Sequence, residues 1–198
     1  MKETKEKEFN KAIIEIATEK DKEHIGQDGR EFTEIFGLPV FLYLARKNPE
    51  TKKIEIKPIK KSYVLEHYPS MNAFVDKASL DMEELFKHSF FEIYDSSFRD
   101  DCIILSNNTA TLSPSILLYK KAWNEVLDFL KTDEVYIMPT MIDGILVVNL
   151  EISEENTEEL KKEIESIRES EQITLDSLIT DKLFYFKRGM KRPRPIED

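Results

Sequence analysis

One cysteine, Cys102, among 198 residues leaves no partner for an intramolecular disulfide, which excludes a cross-linked secreted scaffold. Glycine is also scarce. Five glycines, scattered, supply neither a phosphate-cradling loop nor a Gly-x-Ser-x-Gly nucleophile turn. The three histidines stand at 24, 67 and 88, in separate segments, without the His-x-x-x-His spacing of a zinc site, so no metal and no cofactor is expected. No stretch approaches the roughly eighteen uninterrupted apolar residues of a membrane span. The opening Met1–Glu8 has no apolar run of the secretory kind. These absences predict a cytoplasmic protein that does not enter a membrane. Positive charge is outnumbered, 29 Lys and Arg against 39 Asp and Glu: the net charge of −10 opposes general attraction to nucleic acid, so a nucleic-acid partner is not expected.

What is present suits a folded chain with a modest core. Hydrophobic residues make up 40% and charged residues 34%, and twelve Phe and seven Tyr supply the apolar area that offsets chain entropy. Phe9, Ala12, Ile13, Ile16 and Ala17 recur at helical spacing and predict a helix over residues 4–20. A loop follows to Arg30, then a short helical stretch near Phe32–Phe36. Val40–Leu44 and the alternating Lys53-Ile54-Glu55-Ile56-Lys57 predict a hairpin, with Pro58 ending its second strand. Tyr63–Tyr68 fits strand or helix. Residues 1–78 thus read as a helix-plus-hairpin lobe, 79–187 as an α+β core and 188–198 as a basic tail.

The core is the most legible part. Ser79 is expected to cap a helix to about His88, with Leu80, Leu85 and Phe86 inward. Cys102–Leu105 and Thr109–Leu112 flank Asn107-Asn108, a pair suited to a tight hairpin turn. Pro114 opens a helix whose Leu118, Ala122, Val126, Phe129 and Leu130 form one stripe to about Lys131. Val135–Met138 and Ile145–Leu150 read as central strands joined by a turn at Pro139–Gly144. Ser153 starts an acidic helix with Leu160, Ile164 and Ile167 inward, and Leu183–Phe186 is a last strand. The fold class expected is α+β: a mainly antiparallel sheet with helices on one face, built from a strand-strand-helix unit occurring twice in the C-terminal half.

Few residues invite chemistry. Cys102 opens an apolar strand just after Asp100 and Asp101, and nearby carboxylates disfavour a thiolate, so it reads as a small core residue. Asp21, His24, Asp28 and Glu31 converge on a cation only if their loop folds back. Charge pattern says more. Residues 46–61 carry seven Lys or Arg against two Glu, residues 151–181 eleven acids against three bases, and residues 182–198 six bases against two acids. Lys52, Lys53 and Lys57 on the hairpin, with Arg188, Lys191, Arg192 and Arg194 in the tail, are the candidate partner-binding residues. The tail reads as a charged, frayed terminus, dispensable for stability, or as an arm that docks on a partner.

The run from Pro114 to Phe186 resembles an uncharacterised bacterial domain family of unknown function. Its members carry a Tyr-Ile-Leu-Pro-Ser-Ser-Ile-His-Glu strand motif and a closing Leu-Ser-Asp-x-x-Tyr-x-Tyr segment. The counterparts here are Tyr136-Ile137-Met138-Pro139-Thr140-Met141-Ile142-Asp143-Gly144 and Ile179–Phe186. The positions of the family's His and Glu are Asp143 and Gly144, and the resemblance implies no activity. The reading preferred from the residues is a non-enzymatic binding or adaptor protein with a protein partner. Its rivals are a small hydrolase or transferase with a site near Thr140 and Asp143, and an acidic inhibitor that occupies a basic nucleic-acid-binding protein.

Overall fold

A computed structural model describes residues 9–18, 21, 32–86, 92–95, 100–106, 115–141, 144–169 and 179–197. Two antiparallel sheets share one apolar core; the α+β class is as expected, whereas the sequence pattern predicts a single sheet. The first sheet is centred on the ten-residue strand β3, Leu38–Lys47. One side of β3 pairs with β1 (Lys11–Ile16); the other pairs first with β2 (Phe32–Ile35) and then with β4 (Ile54–Ile59).

Three expectations for this half fail for identifiable reasons. The N-terminal helix is strand β1 where it is described. Ala12, Ile13, Ile14 and Ile16 are all buried, so both faces of the strand are covered and the apolar run carries no usable period. The predicted helical stretch at 32–36 is β2, followed by a turn in which Phe36 takes φ 54° and Gly37 φ 76°. Pro58 does not end β4, because it lies opposite Tyr43 where no ladder bond is required of it. The ambiguous 63–68 segment is helix α1, Lys61–His67.

Helix α2 (Met71–Phe86) begins eight residues before the expected cap. Ser70 accepts a hydrogen bond from the Ala73 N–H at 3.1 Å and so caps the first turn. Ser79 lies mid-helix, donating to the carbonyls of Val75 and Leu118. With the start moved, Phe74, Val75, Ala78, Asp81 and Met82 become the buried stripe, and Leu80, expected inward, is 65% exposed.

The second sheet has six strands in the order β10-β9-β7-β8-β6-β5. They are β5 Glu92–Asp95, β6 Cys102–Ser106, β7 Glu134–Met141, β8 Gly144–Val148, β9 Phe184–Lys187 and β10 Arg194–Pro195, all paired antiparallel. The continuous apolar runs split by parity. Ile103, Leu105, Val135, Ile137, Ile145, Val147, Phe184 and Phe186 join the core shared with the first sheet, together with helix α3 (Lys120–Leu130). Cys102, Tyr136, Met138, Leu146 and Val148 face the opposite way and are covered by Leu160 and Ile164 of helix α4, Glu154–Glu169. Both faces are therefore dry, which is why these strands read as unbroken hydrophobic runs.

Helix α3 presents Ala122, Trp123, Val126 and Leu127 inward; Phe129, assigned to the stripe by spacing, is 56% exposed. β7 continues through Pro139 to Met141, past the turn expected there. Asp143, the hairpin expected at Asn107-Asn108 and the strand expected at Thr109–Leu112 lie outside the described residues.

Candidate functional site

The β3–β4 hairpin brings the predicted basic residues to one end of the first sheet. Its loop is held by its own sequence: Asn48 Oδ1 accepts from the Glu50 and Thr51 N–H groups at 2.9 and 3.0 Å, closing an Asx turn. Lys52 adopts the left-handed conformation, φ 60°, and its N–H returns to the Asn48 carbonyl at 3.0 Å. Glu55, the acid within the strand, accepts from Asn48 Nδ2 and Arg46 Nε, each at 2.6 Å. Those two bonds, Asn48 first, pull its carboxyl below the ordinary range. The hairpin's acid is thus engaged inside the hairpin, while Lys52, Lys53 and Lys57 stand exposed. Ile56 beside them is 55% exposed.

The ladder phase fixes what β4 shows to solvent. Asn48 N–H donates to the Lys53 carbonyl at 2.8 Å, and counting by twos makes Arg46–Glu55, Leu44–Lys57 and Leu42–Ile59 the hydrogen-bonded pairs. Ile54, Ile56 and Pro58 occupy the alternate pairs, so their backbone groups point away from β3. The outer edge of β4 accordingly offers the N–H and C=O of Ile54 and Ile56 and the C=O of Pro58. No backbone or side-chain bond reaches these groups among the described residues. The opposite edge of the same sheet is packed against α2, and two of its outward groups are bonded. There the Ala12 N–H donates to the buried Asp81 carboxylate at 2.7 Å, and the Ile14 carbonyl accepts from Ser115 Oγ at 2.7 Å.

Two of the tail cations, Arg188 and Arg192, are engaged by carboxylates of the fold. Arg188 donates to Asp133 at 2.6 Å, to Asp128 at 2.9 Å and to the Thr132 carbonyl at 3.2 Å, and the two carboxylates, Asp133 first, raise its pKa. Arg192 pairs with Asp76 of α2 and lies over the Phe36 ring at 5.2 Å, its side chain only 14% exposed. Burial lowers its pKa against the opposing pull of Asp76. Pro193 is buried and β10 is zipped to β9, so the segment is built into the fold rather than frayed. Its acidic partners lie on α2 and around the α3–β7 turn. Lys191 and Arg194 remain exposed.

Two concavities accompany these surfaces. One of about 530 Å³ lies between α2 and α3, lined by Asp76, Leu80, Glu83, Lys121 and Arg192. The other, about 670 Å³, is bounded by Gly37, Lys161, Glu165, Lys182 and Ile196. Both mix charges of either sign, and Lys182 of the second donates to the Gly37 carbonyl. Among the described residues no three His, Cys, Asp or Glu side chains come together as a metal site, and no helix is long and apolar enough to cross a membrane. Asp21 exchanges hydrogen bonds with Thr18, whereas His24, Asp28, Glu31 and His88 lie outside the described residues. His67 stacks on Tyr63 with ring centroids 3.9 Å apart. Cys102 is buried. Thr140 is within β7, but its side chain, like Asp143, lies outside what is described.

The α+β class with two antiparallel sheets is as far as the fold identifies the chain. No family model, curated protein or solved structure matches it.

Proposed function

We propose that this chain is a non-enzymatic cytoplasmic binding protein that engages a protein partner through the β3–β4 hairpin. The observation that carries this reading is the exposure of Lys52, Lys53 and Lys57 on the hairpin, with Ile56 exposed on its other face and the hairpin's own acid Glu55 engaged by Arg46 and Asn48. Positive charge on one face of the ribbon steers an acidic partner, and the apolar residue on the other gives it something to bury. The tail contributes less, since Arg188 and Arg192 are engaged within the fold.

Capture from the native cell extract tests the reading. The wild-type chain should enrich a partner that the triple variant Lys52→Glu, Lys53→Glu, Lys57→Glu loses, while Lys191→Glu with Arg194→Glu retains it. Equal enrichment by the hairpin variant would dismiss the hairpin as the contact surface.

A further inference from the structure

We propose that the outer edge of β4 takes up an extended segment of the partner, with acidic and apolar residues in alternation, as an added strand. This rests on the hairpin reading above and gives the partner its chemistry. The first sheet treats its two edges differently. Asp81 and Ser115 spend buried polar groups on the Ala12 N–H and the Ile14 carbonyl of β1, whereas among the described residues nothing bonds the outward Ile54 and Ile56 backbone groups of β4. An open row of donors and acceptors is the template that strand addition uses.

The side chains around that row select what can pair there. Lys53, Glu55 and Lys57 share one face of the ribbon, and Ile54, Ile56 and Pro58 share the other. Glu55 is held by Arg46 and Asn48, so the first face offers lysine charge. On the second, Ile56 and Pro58 are exposed and offer apolar surface. A strand that places acids beside Lys53 and Lys57 and an aliphatic residue beside Ile56 satisfies both faces. A second copy of β4 does not, because it sets lysine against lysine. Pro58 supplies no N–H, which confines the ladder to the donors at 54 and 56 and keeps the contact short.

The test uses the full chain and three probes: a ten-residue peptide alternating Glu and Val, its Lys-Val counterpart, and a single-stranded oligonucleotide of equal charge to the first. Anisotropy reads binding, and amide exchange by NMR reads the edge. The Glu-Val peptide should bind and slow exchange at Ile54 and Ile56 by about tenfold or more. Lys53→Glu with Lys57→Glu should weaken binding by about tenfold. Ile56→Pro removes an outward N–H without touching the bonds to β3 and should weaken binding about as much, while Ile56→Thr should not. Backbone N-methylation of the peptide reaches the same conclusion without altering the protein.

If the Glu-Val peptide binds yet the Ile54 and Ile56 amides exchange as before, strand addition is wrong and the hairpin reading stands. Charge reversal without effect would remove both. Failure of the Glu-Val peptide to bind, equal binding of the Lys-Val peptide, or an oligonucleotide that binds as tightly would each overturn the assignment of an acidic peptide.

Discussion

Replacing Asp81 by alanine tests how the first sheet is attached to α2. The carboxylate is 2% exposed as a residue and accepts the Ala12 N–H at 2.7 Å, with Lys77 paired to it and Lys11 at 3.5 Å. Alanine leaves the Ala12 N–H buried without a partner, a cost of about 1–3 kcal/mol. The two lysines lose less. Their side chains are 41% and 22% exposed and can return to water, so the broken ion pairs add no more than about 1 kcal/mol. The sum is a loss of roughly 1–4 kcal/mol. Asp81→Asn keeps an acceptor for Ala12 and should lose only about 1 kcal/mol. Urea unfolding with an unchanged slope measures both. An alanine variant within about 0.5 kcal/mol of wild type, or an asparagine variant as damaged as alanine, would refute the claim that one backbone hydrogen bond dominates.

The remaining predictions probe the second sheet and the C-terminal segment. A Cβ at Gly144 would lie 2.7 Å from Ile104 Cγ2 and 3.1 Å from the Leu105 carbonyl oxygen, so Gly144→Ala should cost about 1–3 kcal/mol in the same unfolding assay. Glu134 accepts from Lys187 at 2.8 Å and from the Ile152 N–H at 2.8 Å, and these bonds, Lys187 first, hold its carboxyl below the ordinary 4.5. A depressed carboxyl stabilises the fold above its unfolded pKa and loses that contribution as pH falls through the folded one. Wild type should therefore lose stability below pH 4.5 more steeply than Glu134→Gln, as read from thermal midpoints. Truncation after Lys187 removes β10, buried Pro193 and the Arg192–Asp76 pair, and should lower stability by about 2 kcal/mol, or roughly 4–8 °C in Tm.

The C-terminal half was legible in sequence because its elements carry independent local signals. Ser153 before the acidic turn of α4, and the apolar runs of β7, β8 and β9, each name their own structure. Lys53–Lys57 was legible for the same reason: alternation survives where one face of a ribbon stays wet. β1 was not, since burial on both faces erases the pattern that separates strand from helix. The frame of α2 was missed because two polar side chains, Asp81 and Ser79, point inward to meet backbone groups of β1 and of Leu118.

Such tertiary partners leave no mark in a local window. Neither does the docking of Arg192 against Phe36 and Asp76, residues 156 and 116 positions away, which turns a basic terminus into part of the fold. The hairpin lysines were found by counting charge. The open edge beside them was not, since the ladder phase that turns Ile54 and Ile56 outward is set by the loop geometry at Asn48 and Lys53.

Amide exchange along β4 in the unliganded protein measures the open edge most directly. Glu55, Lys57 and Ile59 should be protected by their bonds to β3, and Ile54 and Ile56 should exchange faster by orders of magnitude, giving a two-residue alternation. Uniform protection from Ile54 to Ile59 would mean that something already covers the edge and that no open binding surface exists there.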